Sequence, residues 1–176
     1  LGLTSPASAE RRDDRRHLAV APTREDAAAM PTCTIPIPVA EPFELRLCLF
    51  GHGWVALAPH DYDEATATFT TVLVLPDERG ADGVPVDVAL VQAAEDRLQL
   101  RLGSQARLGA AQRRFAAERI VHMLRLADDL GPFHAMCRED DGLRWAAQRG
   151  AGRLLRSATM FEDLMKLLFT TNTSWA

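Results

Sequence analysis

Apolar and polar positions change rhythm twice along this chain. Residues 1–30 have no period and are rich in Ala, Arg and Asp, as in Arg11-Arg12-Asp13-Asp14-Arg15-Arg16. Such a segment cannot bury enough apolar surface to order itself and is expected to be a disordered tail. Met30 stands just before the first sheet-like pattern and is the expected natural start. From Phe43 the period becomes two. Phe43, Leu45, Leu47 and Leu49 share one face, with Glu44, Arg46 and Cys48 on the other, which predicts a half-buried strand over 43–49. Gly51-His52-Gly53 punctuates it, and 54–58 is expected to return as its hairpin partner. Residues 66–75 set Phe69, Thr71, Leu73 and Leu75 on one face. Two further strands follow, 86–92 and 97–102, the second with Leu98, Leu100 and Leu102 in phase, across the turn Ala94-Glu95-Asp96. Together these predict an antiparallel meander.

After Gly103 the period turns helical. Leu108, Ala111 and Phe115, then Ile120, Met123, Leu124 and Ala127, mark one helix or a bent pair, stopped by Gly131-Pro132. Short helices over 133–138 and 143–148 follow. A last helix begins at Thr159, whose hydroxyl stands three residues before Glu162 as in a capping box. Phe161, Leu164, Leu167 and Leu168 form its apolar stripe. Strands first and helices after is the order of an α+β fold. The expected division is a tail over 1–30, a sheet domain with its following helix over 31–130, and the start of a helical domain over 131–176.

Composition changes this picture little. Of 176 residues, 47% are hydrophobic and 25% charged, as in ordinary globular chains. A net charge of -4 gives no global attraction to nucleic acid, so any such binding must come from a local basic patch. Cys33, Cys48 and Cys137 are scattered and odd in number, which supports neither a zinc ribbon nor a disulfide framework and points to a reduced, cytoplasmic setting. Neither a membrane span nor a signal-peptide core can be read. His52 and His60, with Asp61, Asp63 and Glu64, match no metal-ligand spacing and read as an acidic turn beside two surface histidines. Glu139-Asp140-Asp141 reads as the solvated end of a short helix. Gly150-x-Gly152 reads as a helix C-cap followed by a turn, since no strand precedes it.

Residues 149–176 carry more chemistry. Arg153 and Arg156 precede the amphipathic helix, which runs straight into Thr170-Thr171-Asn172-Thr173-Ser174 and Trp175. A helix end bearing an amide and hydroxyls, close to arginines, is suited to a nucleic-acid backbone or a base edge. The run Gly152-Arg153-Leu154-Leu155-Arg156, the spacer with Glu162, and Thr170-Thr171-Asn172-Thr173-Ser174-Trp175-Ala176 resemble the helix-hairpin-helix DNA glycosylases. The branch resembled is that of the 8-oxoguanine DNA glycosylases and 3-methyladenine DNA glycosylase II. The resemblance covers residues 152–176, and departs from the family's Ser-Ser-Asn-Asn-Asn-Ile-Ala-type motif at Thr173, Ser174 and Trp175.

The resemblance implies a TATA-binding-protein-like antiparallel sheet ahead of an all-α catalytic domain. It implies duplex DNA containing a damaged purine as partner, with the protein cytoplasmic and nucleoid-associated when bound, and it calls for no cofactor or metal. By position Asn172 corresponds to the asparagine that fills the space left by the flipped base, with Thr170, Thr171, Thr173 and Ser174 around it. The family's hairpin, catalytic aspartate and catalytic lysine lie farther along than Ala176. No catalytic residue is therefore expected within residues 1–176, and Lys166, inside the last helix, does not take that role. An uncovered stripe on that helix is expected to leave it poorly anchored and to favour self-association. The alternative is a non-catalytic interaction module or an inactive truncated relic.

Overall fold

The computed structural model describes residues 32–40, 42–77 and 83–171. The expected tail, Met30 as a start, Asn172, Thr173, Ser174 and Trp175 lie outside the described residues. Among those described, the chain is α+β, with a five-stranded antiparallel sheet and several helices. The strands are β1 (Thr32–Pro38), β2 (Asp61–Asp63), β3 (Thr68–Leu75), β4 (Val84–Ala94) and β5 (Arg97–Gly103), in the spatial order β1-β5-β4-β3-β2.

Register lines up the apolar residues in rows across the sheet. Ile35, Leu100, Leu90 and Phe69 form one row, and Leu102, Val88 and Thr71 another. Because strand side chains alternate between faces, these rows make one dry face, on which Phe69, Leu90, Leu98, Leu100 and Leu102 have no exposed surface. The opposite face carries Val72, Val74, Asp87 and Arg101, all exposed. Strands β3, β4 and β5 fall where the alternation predicted them.

Two predicted strands are corrected. Residues 43–49 do not pair: Leu45–Leu49 is a short helix, α1. Leu45, Cys48 and Leu49 are its buried residues, and that i, i+3, i+4 spacing is helical. The run fits both periods, but after Phe43 it is mostly Leu, Arg and Glu with no β-branched residue, and those favour the helix. The Gln92 side chain from β4 fixes its start: Leu45 N donates to Gln92 Oε1 at 2.8 Å, and Gln92 Nε2 donates to the Phe43 carbonyl at 2.8 Å. The expected partner over 54–58 is instead a single 3-10 turn, Trp54–Ala56, entered through Gly53 at φ 85°.

The two strands that replace them are β1 and the three-residue β2. Pro36 and Pro38 had hidden β1. Both have the parity opposite to Val39, whose N–H donates to the Asp96 carbonyl at 2.9 Å, so the prolines turn their nitrogens to the open edge.

Helix α2 (Ala110–Met123) buries Ala116, Ile120 and Met123, and lies over the dry face against β1 and β3. It does not run on to Gly131-Pro132. Leu124 ends it and Arg125 takes a left-handed conformation at φ 55°. Gly131-Pro132 opens the next helix, α3 (Gly131–Glu139), where a proline in the first turn loses no hydrogen bond. A turn capped by Asp140, whose Oδ1 accepts from Gly142 N at 2.7 Å, leads to α4 (Arg144–Gln148), and α5 spans Met160–Thr170. Cys137, Ala146 and Ala147 make a small apolar cluster between α3 and α4.

Gly150 follows α4 at φ 65°, with Ala151 N donating to the Ala146 carbonyl at 2.9 Å, which is the C-cap reading of this glycine. A Cβ there would sit 1.9 Å from the Pro42 carbonyl oxygen. Gly150→Ala combines left-handed strain with a backbone clash, and is expected to cost at least about 2 kcal/mol in urea unfolding. Gln148→Ala, exposed two residues earlier, should stay within about 0.5 kcal/mol.

Candidate nucleic-acid interface

Residues 151–158 form an extended strap that crosses α2. Arg156 N donates to the Met123 carbonyl at 2.8 Å, Arg119 Nη1 donates to the Ala158 carbonyl at 3.3 Å, and Leu155 enters the main core. The strap then turns into α5 through a dense cap. Thr159 Oγ1 accepts from Glu162 N at 3.2 Å, Glu162 Oε2 accepts from Ala158 N at 3.1 Å, and Asp163 Oδ1 accepts from Ser157 N at 2.8 Å. The box expected from Thr159 and Glu162 forms, with the carboxylate reaching one residue farther back. Both acids also suit the positive end of the helix dipole.

The two predicted arginines come together with a third. Arg125 Nε donates to Asp128 Oδ2 at 2.6 Å, Arg156 Nη2 lies 4.0 Å from the same oxygen, and Arg153 Nη2 donates to the Asp128 carbonyl at 3.2 Å. Two guanidinium groups thus share the Asp128 carboxylate and a third takes its backbone carbonyl, a locally positive site in an acidic chain. Arg153 Nε is buried with no hydrogen-bond partner among the described residues.

The threonines are less free than their sequence suggested. Thr170 Oγ1 donates to the Lys166 carbonyl at 2.8 Å, and Thr171 Oγ1 to the Leu168 carbonyl at 2.6 Å. Both hydroxyl protons are spent on the last turn of α5, so these side chains can meet a partner only as acceptors. The stripe of α5 is in water: Phe161 is 71% and Leu168 62% exposed, with Met160, Leu164, Leu167 and Phe169 also open.

One polar contact holds the middle of α5 to the sheet. Lys166 Nζ lies 3.0 Å from His60 Nε2, and His60 Nδ1 lies 2.9 Å from Thr71 Oγ1. An ammonium can only donate, so Nε2 accepts and the Nδ1–H donates to Thr71. His60 is buried, which corrects its reading as a surface histidine; His52 is exposed and stacks on Trp54 at 4.9 Å between centroids. Burial, then the Lys166 ammonium, pushes His60 down to about 4. Burial also lowers Lys166, against the opposing pull of Glu162 and Asp163. Sequence reading missed this contact. The available signal was Thr71 on the apolar face of its strand, a hydroxyl that needs a buried partner.

Other chemistry is sparse among the described residues. No group of three or more His, Cys, Asp or Glu side chains could hold a metal ion, and no helix is long and apolar enough to cross a membrane. Burial raises the Cys48 thiol to about 12, which makes it inert as a nucleophile, and Sγ donates to the Leu124 carbonyl at 3.7 Å. Compared with models of known protein families, with curated proteins and with solved structures, the chain matches none.

His60 makes stability pH-dependent in a defined direction. Its folded pKa lies below the unfolded value of 6.5, so the unfolded state takes up the proton first. The contribution of neutral His60 is complete above pH 6.5 and is lost as pH falls toward about 4. Urea unfolding at pH 7 and 4.5 should show His60→Gln losing less stability between the two than the wild type, by on the order of 2 kcal/mol. Equal losses would show that His60 is not held neutral.

Proposed function

We propose that this chain is the N-terminal portion of a base-excision DNA repair glycosylase of the helix-hairpin-helix kind, which flips damaged purines out of duplex DNA and cuts their glycosidic bond. A base inside the stack is unreachable, so such an enzyme must hold both the duplex and the gap that flipping leaves. The observation that carries the reading is the strap-to-helix segment. Gly152-Arg153-Leu154-Leu155-Arg156 is anchored on α2, Thr159 and Glu162 cap α5, and the helix ends at Thr170 and Thr171, which Asn172-Thr173-Ser174 follow in the sequence.

In this reading Asn172 fills the gap, Thr170, Thr171, Thr173 and Ser174 surround it, and Arg153 and Arg156 supply positive charge for the backbone. The sheet is the TATA-binding-protein-like domain, and α3 to α5 open the helical catalytic domain. The catalytic aspartate and the phosphate-holding hairpin are not supplied by residues 1–176. A non-catalytic interaction module is the second reading. The open side chains of α5 favour it, because an uncovered apolar patch is suited to a protein partner or a second copy.

The two part on DNA. As given, the chain should bind duplex DNA weakly at about 50 mM salt and lose that binding by 200 mM, because only a few phosphates are met. It should release no base from duplexes carrying 8-oxoguanine or an alkylated purine. Fluorescence anisotropy and a base-release assay check both. Absence of binding at low salt by a folded chain would leave the interaction module standing.

A further inference from the structure

Helix α5 is fixed firmly at one end. Glu162 and Asp163 accept from strap N–H groups and Thr159 caps the first turn, yet α5 has no buried residue of its own. Eleven residues at 1.5 Å each carry its far end about 16 Å from that cap, so a swing of about 10° at the cap moves Thr170 by about 3 Å. Groups that must enter a narrow space in a ligand need placement far better than that.

The second tether comes from the sheet. Lys166, the only lysine of the chain, stands on the second turn of α5 and reaches His60, 106 positions away in sequence. Its ammonium lies 5.6 Å from the centroid of Trp54, a cation–π distance. Glu162 and Asp163, four and three residues earlier on the same helix, favour its charged form. His60 is itself immobilised: Thr71 of β3 fixes its Nδ1, and its ring tilts against Phe69 at 5.4 Å. Thr71 and Phe69 both lie on the dry face of the sheet. The Lys166 carbonyl, in turn, accepts the Thr170 hydroxyl. A continuous line of contacts therefore runs from the sheet core through an imidazole and an ammonium to the last turn of α5.

We propose that Lys166 and His60 are a positioning pair that fixes the angle of α5 against the sheet, so that its last turn meets duplex DNA in one orientation. The inference rests on the DNA-binding reading above and adds two residues that do not touch the nucleic acid. A neutral imidazole accepting from an ammonium suits this task. The bond is charge-assisted, and Lys166 needs no buried carboxylate, which would place a further negative charge near the approaching phosphates.

The test uses residues 1–176 with a labelled duplex at several salt concentrations. Lys166→Met keeps the apolar stem, and His60→Gln keeps a polar side chain at a buried position; far-UV circular dichroism checks that both fold. Each single variant is expected to weaken duplex binding about fivefold, and the double variant to lose no more than the worse single, because the two act as one unit. The salt slope should stay that of the wild type in both, since no phosphate contact is removed. A shallower slope in Lys166→Met alone would mean that Lys166 meets a phosphate itself, and would overturn the proposal. So would full binding by His60→Gln, or additive losses in the double variant.

Carbon-13 lysine labelling supplies a second readout, because a single lysine gives a single side-chain εCH₂ signal. In DNA-free protein that signal should shift and sharpen on His60→Gln; an unchanged signal overturns the pairing. Should the wild type bind no duplex while its lysine signal still responds to His60→Gln, the contact exists but serves no DNA positioning. That outcome rejects the DNA reading and the proposal with it, and is distinct from a wild type that binds while the variants bind equally well.

Discussion

The placement of every other element depends on the single dry face of the sheet. Three of the five strands turn Phe69, Leu73, Leu75, Val86, Val88, Leu90, Leu98, Leu100 and Leu102 to one side, and a face of that kind must be covered. The cover is assembled from three separated stretches: α1 with Leu45, Cys48 and Leu49, α2 with Ala116, Ile120 and Met123, and the strap through Leu155. The strap explains how the later part of the chain is oriented. Leu155 belongs to the same core as the strands, so the direction in which α5 leaves is set by the sheet and by α2. Local propensity alone would not set it.

What could be read in the sequence divides along the same line. Strands β3, β4 and β5 showed in the sequence because each is one-sided, and one-sided burial imposes a strict period of two. The cap of α5 showed because Thr159 and Glu162 carry it at fixed spacing. Residues 43–49 misled because Leu at every second position also satisfies i, i+4, and only the lack of β-branched residues pointed to the helix. Strand β1 was not assigned, and its Pro36 and Pro38 fit a strand only because an edge position gives them a side without hydrogen bonds. Gly131-Pro132 is punctuation whose sense depends on which side the helix lies; an end was read where a start stands.

The candidate site was legible in its residues but not in its bonds. Arg153 and Arg156 were visible as charges, while their convergence with Arg125 on Asp128 depends on how the strap crosses the end of α2. Thr170 and Thr171 were visible as hydroxyls, yet a helix end with free carbonyls competes for those protons and takes them. Of the His60–Lys166 contact only one part was legible, the buried polar partner that Thr71 calls for on an apolar strand face. A lone histidine after Pro59 and a lone lysine within an apolar helix have no spacing that relates them.

Helix α5 remains the least conventional element, and its composition limits what it can be. It is apolar on most of its circumference, whereas a helix on the surface of a folded domain shows water a polar side. The structure ties it at the cap and at Lys166 by polar bonds, and none of its apolar side chains is fully buried. Both functional readings therefore require something to cover α5: a protein partner or a second copy in one, further helices of a catalytic domain in the other. The distinction lies at its end, where Thr170 and Thr171 keep only acceptor lone pairs free. Two acceptors alone would be poor company for a phosphate, so if that end meets nucleic acid, the donors must come from elsewhere, because Arg153 and Arg156 stand on the strap at the opposite, capped end of α5.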